Sequence, residues 1–456
     1  MRALAPVRMD ADVALALAAT GALATGTTLA LAGAAGGAPV LGLAGGGLAG
    51  AALVLLMAAG LLSPALVVAL AAPLPALYAA GDTRIAAAAP VAAGAVLAWT
   101  IRRGLDRGPL RTGLLPRREL GLLLGAFVLA TAFADDVLLS ARETLNFAVL
   151  LWLLVACTDE LAERPALGRA LVDVLVATAG ACGALAVLQA VGVIPGSFPR
   201  WGTPFHRASL GFGQPNGLGL FLATLLPLAA HRWAASRGSA RFAAGGAVAA
   251  TGLGVVATFS RASWVAVLAA LAAMALAGHA RTALRVGLAL AAGAVLVEVG
   301  SGGMLSDTAV RTAGDWVVEQ RAALFLTAVQ MFVDHPVLGV GPGGFADQVV
   351  SYAARVTTLW DYQATPHNAY VQMAAETGTV GLLAFLAFLW ACLRVLLRAA
   401  RRPAAAPTRS LRLALLCSFA TLAVASLGTW PFAHGTGETV VLLLALGFAP
   451  APGEEA

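Results

Sequence analysis

The chain predicts a polytopic all-α membrane protein, and three observations carry that prediction. Of its 456 residues, 60% are hydrophobic and only 11% are charged, whereas a soluble globular domain carries roughly a quarter charged residues. Apolar runs recur at lengths near the roughly 20 residues that a helix needs to cross the hydrocarbon core. No alternating pattern of the kind a barrel requires is present, and lipid leaves the backbone of an open strand unsatisfied, so the spans are expected to be helices.

The runs fall at 12–35, 38–60, 63–80, 85–101, 120–134, 142–157, 168–194, 211–230, 242–259, 262–278, 284–299, 368–393, 411–428 and 435–450. Several are short or glycine-rich, so about 12–14 transmembrane helices are expected. The first follows Arg2 and Arg8 and runs almost unbroken into the second, which reads as a retained anchor rather than a cleaved signal. Gly45, Gly46, Gly47 and Gly60 read as packing devices, because small residues let helices in lipid approach closely. Cys157, Cys182, Cys392 and Cys417 lie in or at the ends of spans without paired spacing, and read as inert packing residues. Three regions are expected: N-terminal scaffold helices over 1–199, a catalytic membrane region over 200–398 containing a long outward loop at 300–367, and a C-terminal part over 399–456. That last part comprises a basic loop, the final spans and a tail.

All 29 basic residues are arginine, and the net charge is +6. With the N-terminus inside and 14 alternating spans, 21 of them fall on the inner side, the bias expected of cytoplasmic loops. The basic balance is therefore membrane-facing and implies no nucleic-acid partner. Eight arginines remain outside: Arg84, Arg142, Arg200, Arg207, Arg261, Arg311, Arg321 and Arg355. Pairing with outward acids is the plain expectation for Arg142, Arg311 and Arg355.

Three outward connections are polar and specific. The first runs from Arg207 to Asn216, where Pro215 and Asn216 open a helix with Asn216 as its cap. Arg207 there offers a guanidinium fork suited to phosphate. The second is the tight turn Phe259-Ser-Arg-Ala-Ser-Trp264, which holds Arg261 at membrane depth, where a cation is costly unless paired or functional. Snorkelling beside Trp264 is the plainer reading of that arginine. The third is the long loop, with an amphipathic helix after Arg321, a turn containing Gly339, Gly341, Gly343 and Gly344, and His367 before Asn368 and Tyr370. The glycines read as turn chemistry, since no P-loop Lys-Ser/Thr follows. His335, before a proline, reads as a capping or surface residue. His367 either caps the next helix or accepts a proton, its ordinary pKa near 6.5 suiting a base at neutral pH. His335, His367 and His434 lack ligand spacing, so no metal site is expected.

Taken in order, Arg207 to Asn216, Ser260-Arg261, Asp334-His-Pro with its Gly-Val-Gly-Pro-Gly run, and His367-Asn-Ala-Tyr370 with Glu376-Thr-Gly378 resemble the O-antigen ligase and polymerase superfamily over about residues 200–395. The N-terminal third shares only its hydrophobicity. The resemblance implies a metal-independent, inverting glycosyl transfer without cofactor at the periplasmic face of the bacterial inner membrane. On that reading Arg207 and Arg261 hold the diphosphate of an undecaprenyl-diphosphate-linked glycan donor, Arg321 supports it, and His367 activates the acceptor hydroxyl. Cations are a direct way to stabilise a departing diphosphate, most effective in a dry site. The acceptor is a lipid A-core sugar for a ligase, another glycan repeat for a polymerase, and a Ser or Thr for a protein O-oligosaccharyltransferase. The late loop and short tail favour the ligase, while Gly213-Gln-Pro-Asn216 has the flavour of the protein-modifying branch. A transporter of lipid-linked anions is the reading from another class. It is disfavoured because the spans hold little charge besides Asp173, with Gln189 their other notable polar residue.

Overall fold

The computed structural model describes residues 50–72, 76–78, 84–86, 88–106, 109–194, 206–212, 214–300, 302–303, 306, 315–356, 365–432 and 435–450. The proposed spans 12–35 and most of 38–60 lie outside these residues, as do Gly45 to Gly47, Arg200, Arg311 and His434. The described chain is almost entirely helical. Its helices are α1 (50–58), α2 (Pro64–Ala71), α3 (Ala88–Asp106), α4 (Arg117–Ala132), α5 (Val137–Glu163), α6 (Ala166–Ala190), α7 (Pro215–Ala235) and α8 (Gly238–Ala257). They continue with α9 (Arg261–Met274), α10 (Ala280–Gly300), α11 (Asp315–Asp334), α12 (Gly344–Ala353), α13 (Ala369–Arg401), α14 (Ala406–Ala425) and α15 (Thr436–Phe448).

By length and apolar character, 7 of the described helices qualify as membrane spans, and α15 is a shorter apolar helix. One of the 7, Arg261–Val299, is 39 residues long by that measure. Gly278 breaks it with φ 85 and ψ 9, and a Cβ on Gly287 would meet Leu271 Cδ1 at 3.4 Å, so α9 and α10 fold back on each other as a hairpin. The two apolar runs 262–278 and 284–299 are its arms. The run 63–80 is not one continuous helix. α2 stops at Ala71, just before Pro73 and Pro75, whose rings cannot continue a helix, and Ala76–Tyr78 pairs antiparallel with Arg84–Ala86.

α7 lies at the centre, with Leu218, Leu222, Leu225, Leu226, Leu228 and Ala229 fully buried. α6, α8, α9 and α14 pack around it. α6 and α8 approach closely: a Cβ on Gly183 would collide with the Ala250 carbonyl, and one on Gly254 with the Gly183 backbone. That is the small-residue packing that helices use in lipid. Gly60, by contrast, sits in the turn after α1 with φ 73. The outer faces are apolar and exposed, Leu276 at 89% and Phe242 at 84% among them, as lipid-facing surfaces are. All four cysteines are buried and free.

α11 and α12 form a smaller core outside the main one, in which Leu324, Ala328, Met331, Val340, Phe345 and Val349 meet Ala375 of α13. Between them the chain crosses α13 at a break. Gly378 has φ 61 and ψ −162, a conformation only glycine adopts readily, and a Cβ there would strike the Val337 carbonyl. The hydrogen bonds that this break removes from the helix are supplied by the turn. Val340 N and Gly341 N donate to the carbonyls of Ala375 and Glu376, while Thr379 N and Val380 N donate to those of Pro336 and Val337, all at 2.9–3.2 Å. The Glu376 carboxylate accepts the backbone N–H groups of Gly343 and Phe345, at the start of α12. The glycine run is thus a turn whose backbone completes a broken helix.

Candidate functional site

The helices alternate in direction, so the bundle has two polar ends. One collects Arg102, Arg103, Arg164, Arg232, Arg402 and Arg412 together with buried acids, and is called here the arginine-rich end. The other holds the connection before α7, the α8–α9 turn, α11 and the residues leading into α13. Arg207, Arg261, Arg321 and His367 all lie at this second end.

The connection before α7 is fixed from below and from the side. Gln189, near the end of α6, accepts the N–H groups of Ser209 and Leu210, both at 2.9 Å, and Ala208 N donates to the Ala257 carbonyl at 3.0 Å. Arg207 is thereby laid along the α8–α9 turn, where its Nε donates to the Thr258 carbonyl at 3.3 Å. Ser260 then caps α9, accepting from Ser263 N, and donates its hydroxyl to Asn216 Oδ1 at 2.7 Å. Asn216 is therefore not the cap expected from its position. Pro215 occupies the first turn of α7 and Gln214 the cap position, which frees the Asn216 side chain to tie α7 to the turn carrying Arg261.

Arg261 is the first residue of α9, half-buried, at the positive end of that helix dipole. Half-buried Arg321, on α11, has its pKa lowered by burial first and by Arg261 second. Among the described residues neither has a carboxylate at ion-pair distance. Two guanidinium groups that repel one another without an acid between them make a site suited to an anion.

His367 is buried, 8% exposed. It does not cap α13: Asn368 does, its side chain accepting from Tyr370 N at 3.0 Å and Val371 N at 3.2 Å. Ala369 N donates to the Ser426 carbonyl at the end of α14, and Tyr370 donates its hydroxyl to the Ala423 carbonyl, which pins this corner against the α9–α14 packing. Burial, and then the charge of Arg321, lower the His367 pKa to about 4. The ring is therefore neutral at neutral pH.

The backbone adds an observation independent of charge. Among the described residues, three other than glycine have positive φ: Leu210 at 44°, Phe259 at 47° and His367 at 54°. They stand three residues from Arg207, two from Arg261 and at the histidine itself. Such conformations cost on the order of 1–3 kcal/mol and persist where the surroundings impose them, most often at functional sites.

Of the other residues expected on the outer side, Arg355 pairs with Asp334 at 3.0 Å, Arg142 lies 3.8 Å from its neighbour Glu143, and His335 is exposed. Sequence reasoning noted Gln189 only as a polar residue within a span and gave it no part in fixing the Arg207 connection, and it assigned no role to Glu376, which holds the loop. A lone glutamine at the end of an apolar span was the one available signal for the first. Among the described residues, no three His, Cys, Asp or Glu side chains are grouped as metal ligands would be.

A protein-family model described as O-antigen ligase matches residues 246–386. The match runs from within α8 to within α13 and includes Arg261, Arg321 and His367, whereas Arg207 precedes it. No curated protein matches the chain.

Proposed function

From a chain whose residues 246–386 match a family model described as O-antigen ligase, we propose a glycosyltransferase that moves a glycan from an undecaprenyl-diphosphate-linked donor to a sugar hydroxyl of lipid A-core, at the periplasmic face of the bacterial inner membrane. The arginine-rich end faces the cytoplasm in this reading, as the distribution of positive charge favours. The observation that carries it is the convergence of Arg207, Arg261, Arg321 and His367, drawn from four separate segments, at the end of the bundle where the backbone is strained.

In the reaction, the acceptor hydroxyl oxygen attacks the anomeric carbon of the donor glycan from the face opposite the diphosphate. The carbon–oxygen bond to the diphosphate breaks, its electron pair stays with the departing lipid diphosphate, and the hydroxyl proton passes to the His367 imidazole. Configuration inverts in the single displacement. Arg207 and Arg261 hold the diphosphate and Arg321 supports it, so the growing negative charge meets fixed cations and no metal ion is needed for that task. The diphosphate also acts on the base. Burial is the larger cause depressing His367 and the charge of Arg321 the smaller; the diphosphate charge offsets the second, so donor binding moves the histidine pKa upward.

Purified protein supplied with lipid-linked glycan and lipid A-core tests the proposal. His367→Ala is expected to lower transfer about a hundred- to ten-thousand-fold, the usual worth of a positioned base, while the protein stays inserted and folded. An active His367→Ala enzyme would overturn the mechanism. The acceptor is read from the lipopolysaccharide gel profile of a deletion strain. Complete loss of long chains supports lipid A-core ligation, whereas core plus a single repeat indicates a polymerase, and an unchanged profile excludes both.

A further inference from the structure

At the arginine-rich end, α5, α6, α7, α8, α13, α14 and α15 diverge around a cleft of about 1390 Å³. It lies a whole helix away from the candidate active site: α7 begins beside Ser260 and ends at the cleft, and its 21 residues span roughly 30 Å. We propose that this cleft binds a phosphate-bearing anionic lipid of the adjoining leaflet.

The rim and the walls differ in chemistry. Six guanidinium groups line the cleft, from Arg169, Arg232, Arg237, Arg241, Arg402 and Arg412, with Asp173 as the one acid among the lining residues. Asp173 is engaged by Arg232, and Arg241 lies over the Trp233 ring at 5.2 Å. Arg169, Arg237 and Arg402 have no ion-pair partner among the described residues. The inner walls, by contrast, are Leu161, Val172, Leu411, Leu415, Leu446 and Phe448. Deep in the cleft His231 Nδ1 and Ser410 Oγ, 2.8 Å apart, tie α7 to α14.

A free anion would use the rim and leave the walls wet. A zwitterionic lipid would use the walls and bring no net charge to the rim. An amphiphile with an anionic phosphate headgroup satisfies both, its phosphate in the guanidinium forks and its chain against the leucines, and basic pockets between membrane helices take such headgroups. The volume exceeds the several hundred Å³ typical of small-molecule pockets, leaving room for the chain as well as the headgroup.

The test is native mass spectrometry of the detergent-purified chain, titrated with phosphatidylglycerol, with phosphatidylcholine of the same acyl chains, and with inorganic diphosphate. Phosphatidylglycerol is expected to bind well ahead of phosphatidylcholine. Arg169→Gln, Arg237→Gln and Arg402→Gln together should weaken it about a hundredfold, near fivefold for each guanidinium, and leave phosphatidylcholine unchanged. Should the triple variant prove unstable, Arg402→Gln alone carries the test with a loss of about fivefold. Equal binding of the two lipids overturns the proposal, as does unchanged phosphatidylglycerol affinity in the variants. Inorganic diphosphate that binds as tightly as phosphatidylglycerol and displaces it overturns the lipid assignment in favour of a soluble anion.

Discussion

At the arginine-rich end, Arg103 lies 2.9 Å from Glu163 and its Nε donates to Asp159 at 2.6 Å. The same fully buried Asp159 accepts Trp99 Nε1 at 2.8 Å and Arg111 N at 2.6 Å. At the opposite end, Arg261 and Arg321 act on each other, and Arg321 on His367, with no carboxylate at ion-pair distance of either arginine among the described residues. In the first place buried charge is cancelled within the fold; in the second it is left for something to cancel. A fold gains nothing from the second arrangement, so under the proposed function the difference separates residues that hold helices together from residues that await a ligand.

The sharpest way to break this comparison is to exchange the expected phenotypes. Asp159→Ala leaves Arg103 and Trp99 without their shared acceptor, and removing one partner of a buried pair costs about 3–5 kcal/mol. The thermal midpoint in detergent should fall steeply, while the protein that remains folded transfers glycan at its normal rate. Arg261→Ala should do the reverse, lowering transfer about a hundred- to a thousandfold, as loss of one positioned charge-stabilising donor does, with the midpoint unchanged or raised by relief of its repulsion with Arg321. Matching stability losses in the two variants would remove the distinction.

A smaller effect sharpens the same contrast through pH. The His367 pKa is about 4 in the folded chain against its ordinary 6.5, so the unfolded chain binds the extra proton first. The stability tied to the neutral ring is complete above pH 6.5 and is lost as pH falls toward 4, in total roughly 3 kcal/mol. His367→Gln, which has no proton to gain, should flatten the part of the acid denaturation curve between those values. A variant curve superimposable on the parent would show that the ring is solvated. The smallest effect concerns Asn216→Ala, which removes the acceptor of the Ser260 hydroxyl and should cost about 1 kcal/mol. Because Ser260 precedes Arg261, a several-fold loss of transfer should accompany it, and an unchanged rate would place Arg261 under other control.

Much of the candidate site could be proposed from the sequence because its residues are out of character with their surroundings. Arg207 and Arg261 fall outside the segments where most arginines cluster, and His367 stands beside an apolar run. What holds them was not legible. Gln189 reaches Ser209 across 20 residues and Ser260 reaches Asn216 across 44, and nothing local announces either pairing. The helix caps show the same limit. Asn216 and His367 each stand where a cap was expected, yet Gln214 and Asn368 take those positions, and the displaced side chains acquire other partners or surroundings. Most of the long apolar runs translated directly into helices, since periodicity and length suffice for that. The run 63–80 did not, because composition alone overlooked Pro73 and Pro75.

The break in α13 has a consequence for the order in which the molecule is built. The chain emerges with residues 336–344 ahead of α13, and those residues supply the carbonyls and amides that α13 lacks around Gly378. A hydrophobic segment delivered to lipid before this turn had docked on it would hold four unsatisfied backbone groups. Assembly therefore favours forming the turn first, and the corner bearing His367 is finished only when α13 closes onto it.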